Sequence, residues 1–306
     1  MTLIGFLKDG GKRYDGSPSF PYYSASDLGI EEERFSFQSG KNLLFGSRYF
    51  CKREEPYKAI IIFFHGIGAG RTAYLKLISV LVKQGYLIYA YDNTGCMESE
   101  GNGYIGLGQC NCDQDAFFRF LDSDPKTKGY KRFVIGHSWG GYSSLTSLRE
   151  GFKVSKCVSI SGFLSPEREI LSIVKNLKSG FMRQIGKICI KICYKGELNL
   201  DARKILKKTK AKVLYIQGTS DQMVPFKNSG MTLKKEFKDN SNIEYMFLPK
   251  RGHSPYLTIE AEEYTNHMFE TSKKTIIEDK HPVLDLEKAC ELNPAVMERI
   301  IDFFEK

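Results

Sequence analysis

Three residues of this chain, a serine, an aspartate and a histidine, stand where they could together carry out acyl transfer. Ser138 lies in Gly136-His137-Ser138-Trp139-Gly140-Gly141, directly after the apolar run Phe133-Val134-Ile135 and ahead of a helical pattern. Glycines beside a serine at a strand-to-helix turn lack the Cβ atoms that would crowd it, so the serine can stand exposed on a strained backbone. A serine hydroxyl is a poor nucleophile without a base, and the base needs an acid to orient it. Asp221 follows the apolar run Val213–Ile216, within Gly218-Thr-Ser-Asp221-Gln-Met-Val224-Pro225. His253 follows Tyr245–Leu248, within Lys250-Arg-Gly252-His253-Ser254. Serine, then acid, then histidine is the chain order that accompanies an elbow serine of this kind. The expected chemistry is attack by Ser138 on an acyl carbon, with His253 as base and Asp221 holding the imidazole. The developing oxyanion needs two backbone N–H donors. The expected donors are Trp139, next after the serine, and Ile67, from the turn His65-Gly66-Ile67-Gly68.

Plainer readings compete at several positions. Asp221 also suits an ordinary turn. His267 and His281 are rival bases, but neither follows a strand and both fall in a stretch that reads as irregular. His65 and His137 read as packing or hydrogen-bonding residues of the motif turns. Gly101-Asn-Gly103-Tyr-Ile-Gly106 matches G-x-G-x-x-G, yet it begins about ten residues after its strand and no helix is expected to open from it, so it is read as no dinucleotide site. Cys110/Cys112 and Cys189/Cys193 have no partnered set of histidines, which favours free thiols in a reducing cytoplasm over a metal site. Neither a cofactor nor a metal is expected.

The elements that must position these residues follow from hydropathy patterning. Strands are expected at 34–37, 43–50, 58–64, 86–91, 132–135, 154–160, 212–216 and 243–248. Several are continuous apolar runs, as in strands covered on both faces of a parallel sheet. Tyr74, Leu77, Ile78, Leu81 and Val82 recur at helical spacing, with Gly85 as a stop. Asn293-Pro294 reads as a helix cap ahead of an apolar face of Val296, Met297, Ile300, Ile301 and Phe304. The alternation indicates an α/β fold. It breaks at 163–204, which is free of strand signal and steps by three or four through Ile170, Val174, Leu177, Phe181, Ile185, Ile188 and Ile192. It breaks again at 256–290. Charge is concentrated too. Residues 163–212 hold thirteen Lys and Arg against four acids, an excess equal to the +9 of the whole 306-residue chain. The remainder is neutral, which argues against a nucleic-acid coat. No apolar run approaches the roughly 20 residues of a membrane span.

These motifs together resemble the α/β-hydrolase superfamily, within it the branch of monoacylglycerol lipases, small carboxylesterases and serine aminopeptidases. The resemblance covers about residues 30–306 and rests on His65-Gly66, Gly136 to Gly140, Gly218-x-x-Asp221-x-x-Val224-Pro225 and Gly252-His253. It implies a mostly parallel eight-stranded sheet flanked by helices and no cofactor. It also implies a lid after the sixth strand, here 163–204, with 1–162 and 205–306 forming the core. One motif departs from the family: in the stretch Asp92 to Gly101, Thr94 stands where relatives often have arginine and Met97 where they have glycine. The expected activity is that of a cytoplasmic serine hydrolase cleaving small carboxylic esters with an apolar acyl group. A peptidase, a lysophospholipase or a thioesterase with the same triad are alternatives, as is a non-catalytic binding or membrane-docking member. The basic lid reads as a solvated face, or as an attractor of an anionic substrate or an anionic membrane surface.

Overall fold

An unbroken apolar run is stable as a strand only where both of its faces are covered. The run ending at Phe64 meets that condition. In the computed structural model, which describes residues 11–17, 19–103, 106–173, 199–275 and 283–306, it forms a strand buried along its whole length. The eight strands are β1 (Glu31–Ser39), β2 (Asn42–Phe50), β3 (Ile60–Phe64), β4 (Leu87–Tyr91), β5 (Arg132–His137), β6 (Val154–Ile160), β7 (Lys212–Gly218) and β8 (Ile243–Leu248). They make one sheet in the order β1-β2-β4-β3-β5-β6-β7-β8. β2 pairs antiparallel with β1 and β4, and every other pairing is parallel. This is the expected α/β-hydrolase sheet, with β1, β2, β5 and β7 longer than the sequence reading placed them and β3 and β4 shorter.

The helices are α1 (Leu75–Lys83), α2 (Gln109–Ser123), α3 (Trp139–Thr146), α4 (Pro166–Ile173), α5 (Ala202–Leu206), α6 (Gly230–Glu236), α7 (Ile259–Thr275), α8 (Leu286–Ala289) and α9 (Pro294–Glu305). Side chains alternate across a strand, and β3 shows the consequence. Ile61 and Phe63 join a core layer with α1 and α9, while Ile60, Ile62 and Phe64 join the opposite layer with α2, α5 and α6. The Asn293 side chain caps α9 by accepting from the Ala295 and Val296 amides, as the Asn-Pro pair predicts. Phe303, rather than the expected Ile301, completes its buried face.

Two sequence expectations need correction. The stretch 256–290 is not irregular: it holds the 17-residue helix α7, with His267 exposed on it, while His281 lies outside the described residues. A helix also does open just after the G-x-G-x-x-G stretch, since α2 starts three residues beyond Gly106. The second helix hid for a physical reason. The buried face of α2 carries Gln109, Asn111, Asp113 and Gln114, which break its apolar period. Asp113 is satisfied by the Ser39 and Thr94 hydroxyls, the Thr94 amide and the Gln109 side chain. Thr94, the residue that departs from the family pattern, therefore ties the loop after β4 to α2. Met97, the other departure, sits at φ +49, a left-handed conformation that suits the glycine relatives carry there. Residues 13–14 strap this loop down. Tyr14 exchanges backbone hydrogen bonds with Gly95 and Met97, and the Arg13 guanidinium donates to the carbonyls of Met97, Ser99 and Gly101.

The segment between β6 and β7 leaves and rejoins the core at one point, where the Ala202 amide donates to Leu164 O at 2.9 Å. Most of the expected lid, 174–198, lies outside the described residues. At its start, Ile170 and Leu171 are buried against Trp139, Phe163 and Val224. At its end, Lys204, Lys208 and Lys210 line a cleft of about 580 Å³ with Arg149 and Lys153. That cleft includes Val154, the first residue of β6, and so lies at the sheet edge opposite the one Ser138 follows. Among the described residues no helix is long and apolar enough to cross a membrane.

Candidate active site

Parallel neighbours deliver their C-terminal ends to one edge of a sheet, and four such ends build this site. The loop 65–68 follows β3, Ser138 follows β5, Asp221 follows β7 and His253 follows β8. Ser138 is held at φ +58, ψ −115, a strained conformation for a residue with a side chain. Its amide donates to Ile160 O at 2.8 Å, and its carbonyl accepts from the Tyr142 amide at 3.0 Å. The flanking glycines are required by close approach. A Cβ on Gly140 would lie 1.9 Å from Phe64 O, and one on Gly136 would lie 2.3 Å from Gly140 O. The elbow can form only because β3, β5 and α3 touch backbone to backbone.

Ser138 Oγ lies 2.8 Å from His253 Nε2, and His253 Nδ1 lies 2.9 and 3.0 Å from the Asp221 carboxylate oxygens. A carboxylate only accepts, so the imidazole proton sits on Nδ1, and Nε2 presents its lone pair to the serine hydroxyl. Asp221 is itself gripped. Its Oδ1 accepts from the Met223 and Val224 amides at 3.0 and 2.9 Å, and its Oδ2 from Gln217 Nε2 at 3.2 Å. Burial pushes the carboxyl pKa up. The hydrogen bond and charge of His253, with the Val224 amide and Gln217, outweigh burial and hold it below its ordinary value. Gln217 is fully buried, and its carbonyl accepts from Ser229 and the Gly230 amide. Sequence reading passed over Gln217; the available signal was a lone polar side chain inside the buried strand β7.

The loop 65–68 abuts the serine, since a Cβ on Gly66 would lie 3.6 Å from Ser138 Cβ. His65 sets this loop. The Asn93 amide donates to His65 Nε2 at 3.0 Å, so the ring proton is on Nδ1, which donates to Gly66 O at 2.7 Å. Gly66 C=O and Ile67 N–H belong to one planar peptide and point in opposite directions. Holding the carbonyl therefore aims the Ile67 amide. Trp139 is the first residue of α3, so its amide lies at the positive end of that helix. Its indole N–H donates to Leu107 O at 2.7 Å. The structure thus brings together all five residues singled out in the sequence: Ser138, Asp221 and His253 by direct hydrogen bonds, Trp139 and Ile67 on the two backbone segments beside them.

The family model described as serine aminopeptidase, S33, matches residues 55–212. The chain belongs to this family. It is a hydrolase of the α/β-hydrolase superfamily, and the match spans β3 through the elbow to the start of β7. An esterase of Pyrococcus furiosus superposes with a TM-score of 0.60 at 19% identity, over 86% of this chain and 96% of that one. An acylaminoacyl peptidase of Pyrococcus horikoshii superposes with a TM-score of 0.59 at 16% identity, over 90% of this chain and 41% of that one. At such identities the likeness is one of fold. No curated protein matches the sequence.

The two motif histidines, His65 and His137, bear on this hydrolase's acid stability. Both are buried, and burial lowers the pKa of each, for His137 from its ordinary 6.5 to about 3. As pH falls below about 6.5 the unfolded chain takes up these protons first, so stability present above that pH is lost as the pH drops further, for His137 on the way toward 3. Each group contributes a slope of up to about 1.4 kcal/mol per pH unit in that window. The urea midpoint is expected to fall steadily from pH 7 to pH 5; a midpoint unchanged over that range would contradict neutral burial of the pair.

Proposed function

We propose that this protein is a serine esterase, with Ser138 as nucleophile, His253 as general base and then acid, and Asp221 as the group that orients and stabilises the imidazolium. The observation that carries this reading is the 2.8 Å contact of Ser138 Oγ with a histidine nitrogen whose proton arrangement is fixed by a buried carboxylate. In the proposed cycle Ser138 Oγ attacks the acyl carbon while its proton passes to His253 Nε2. The amides of Ile67 and Trp139 receive the oxyanion. His253 then protonates the leaving alcohol, and water, activated by the same nitrogen, releases the acid. Among the described residues no acceptor takes the Ile67 amide, which suits a donor kept for a transient charge. Segment 163–204 is proposed as the lid, and the apolar wall at its start, Ile170 and Leu171 beside Trp139 and Val224, suits an apolar acyl group.

The family description favours a second reading, in which the same groups cleave an aminoacyl amide. The two are separated by comparing p-nitrophenyl esters from acetate to decanoate with amino-acid p-nitroanilides. Ester turnover is expected, with kcat/KM rising up to about fourfold per methylene, or 0.8 kcal/mol, until the pocket is filled. Turnover of anilides alone would replace the esterase by an aminopeptidase.

A further inference from the structure

We propose that Tyr74 is a positioning residue of this active site, its hydroxyl acting through His137 to lock the loop that carries the Ile67 amide to the loop that carries His253. The inference rests on the serine-hydrolase reading above and adds to it two residues that touch no reacting atom.

The argument is one of proton placement. His137 Nε2 lies 2.9 Å from the backbone oxygen of His253, and a carbonyl only accepts, so Nε2 carries the ring proton and donates it. Burial keeps His137 neutral, so Nδ1 is then a lone pair. Tyr74 Oη lies 3.0 Å from Nδ1 and must donate its hydroxyl proton there. That leaves the phenol oxygen to accept from the Gly66 amide, at 3.1 Å. Every proton in the series Gly66 N–H, Tyr74 O–H, His137 Nε2–H, His253 C=O has a single place. Both side chains of the series are buried, Tyr74 at 6% and His137 at 5% exposure. The Tyr256 ring closes over the series, with its centroid 4.9 Å from that of His137 and 6.1 Å from that of Tyr74.

The consequence is mechanical. His65 holds the carbonyl of Gly66, in the peptide that carries the Ile67 amide, and Tyr74 holds the Gly66 amide, in the peptide before it, so Gly66 is pinned on both sides and the Ile67 amide is aimed from a fixed residue. The other end of the series grips the backbone of the residue that supplies the base. His137 immediately precedes Ser138, so the link also passes beside the nucleophile. A displacement of about 1 Å in such a constellation can cost on the order of 100-fold in rate.

Tyr74→Phe removes one oxygen and leaves the Gly66 amide and His137 Nδ1 without partners. Its kcat on a p-nitrophenyl ester is expected to fall about 10- to 100-fold, with KM changed less than about threefold. Affinity for an alkyl trifluoromethyl ketone, which adds to Ser138 and places an oxyanion at the loop amides, is expected to fall by the same factor as kcat/KM. A role in stability alone would lower the melting temperature and leave kcat and ketone affinity of the folded protein unchanged, and that result overturns the proposal. Wild-type protein without turnover dependent on Ser138 would overturn both this proposal and the hydrolase reading; wild-type turnover that Tyr74→Phe does not slow overturns this one alone. Should Tyr74→Phe fail to fold, His137→Asn tests the same series. The shorter amide can accept from Tyr74 but cannot reach His253 O, so the same parallel losses are expected, and unchanged kcat would again overturn the proposal.

Discussion

Ser138→Ala is expected to lower ester turnover by about 10⁴-fold or more while shifting stability by less than about 1 kcal/mol. The rate effect is large because, among the described residues, the serine hydroxyl is the only group that His253 Nε2 contacts at hydrogen-bond distance, so its removal leaves the base with nothing to deprotonate except water. The stability effect is small for a separate reason. The strain at φ +58 lies in the backbone, and the two hydrogen bonds that hold that backbone, to Ile160 and Tyr142, use main-chain atoms that alanine keeps. The lost side-chain bond is to a partly solvated imidazole, which water can satisfy. Turnover and urea midpoint should be measured on the same preparation. More than a few per cent of wild-type turnover in a folded Ser138→Ala protein would remove Ser138 from the nucleophile's role. Failure of fluorophosphonate to label the wild type would point the same way.

What the sequence made legible, and what it hid, divides along one physical line. β3, β5 and β7 could be read because a strand covered on both faces must be apolar throughout, a signal carried by the residues themselves. The elbow could be read because Gly136 and Gly140 are forced by contacts too close for any Cβ, so their identities record tertiary packing. α2 and Gln217 could not, because their buried polar side chains are satisfied by partners distant in sequence. Asp113 meets Ser39 and Thr94, and Gln217 meets Ser229 and Gly230. A polar residue at a buried position looks like solvent exposure until those partners are in place. The same holds for the strap at Arg13 and Tyr14 and for Tyr74, which reads as one more apolar position of a helix start but places its hydroxyl between two loops of the site. The hydrogen-bonded series Ser138, His253 and Asp221 was legible in its chain order and the frame around it was not, since a frame made largely of backbone partners leaves no residue pattern.

Asp221→Asn should cost about 10⁴-fold in kcat near neutral pH, nearly as much as loss of the nucleophile, although it changes a single atom. The surroundings decide which way the new amide turns. Oδ1 accepts from two backbone amides, those of Met223 and Val224, and these can be satisfied only by an oxygen. The asparagine carbonyl therefore stays at that position, and the NH₂ group takes the place of Oδ2. There it faces His253 Nδ1 as a donor, so Nδ1 must become the acceptor and the ring proton moves to Nε2. With Nε2 protonated, His253 cannot accept the proton of Ser138, and the attack has no base. The same NH₂ also meets the Gln217 side-chain donor, formerly a partner of Oδ2 at 3.2 Å, which adds a modest loss of stability. The variant keeps the turn's own hydrogen bonds, and this separates the two roles open to Asp221. If the residue served only to shape the turn 218–225, Asp221→Asn would keep its activity. If it fixes the proton of His253, the folded variant should lose kcat and fluorophosphonate labelling together, because both require the same serine to be deprotonated as it attacks.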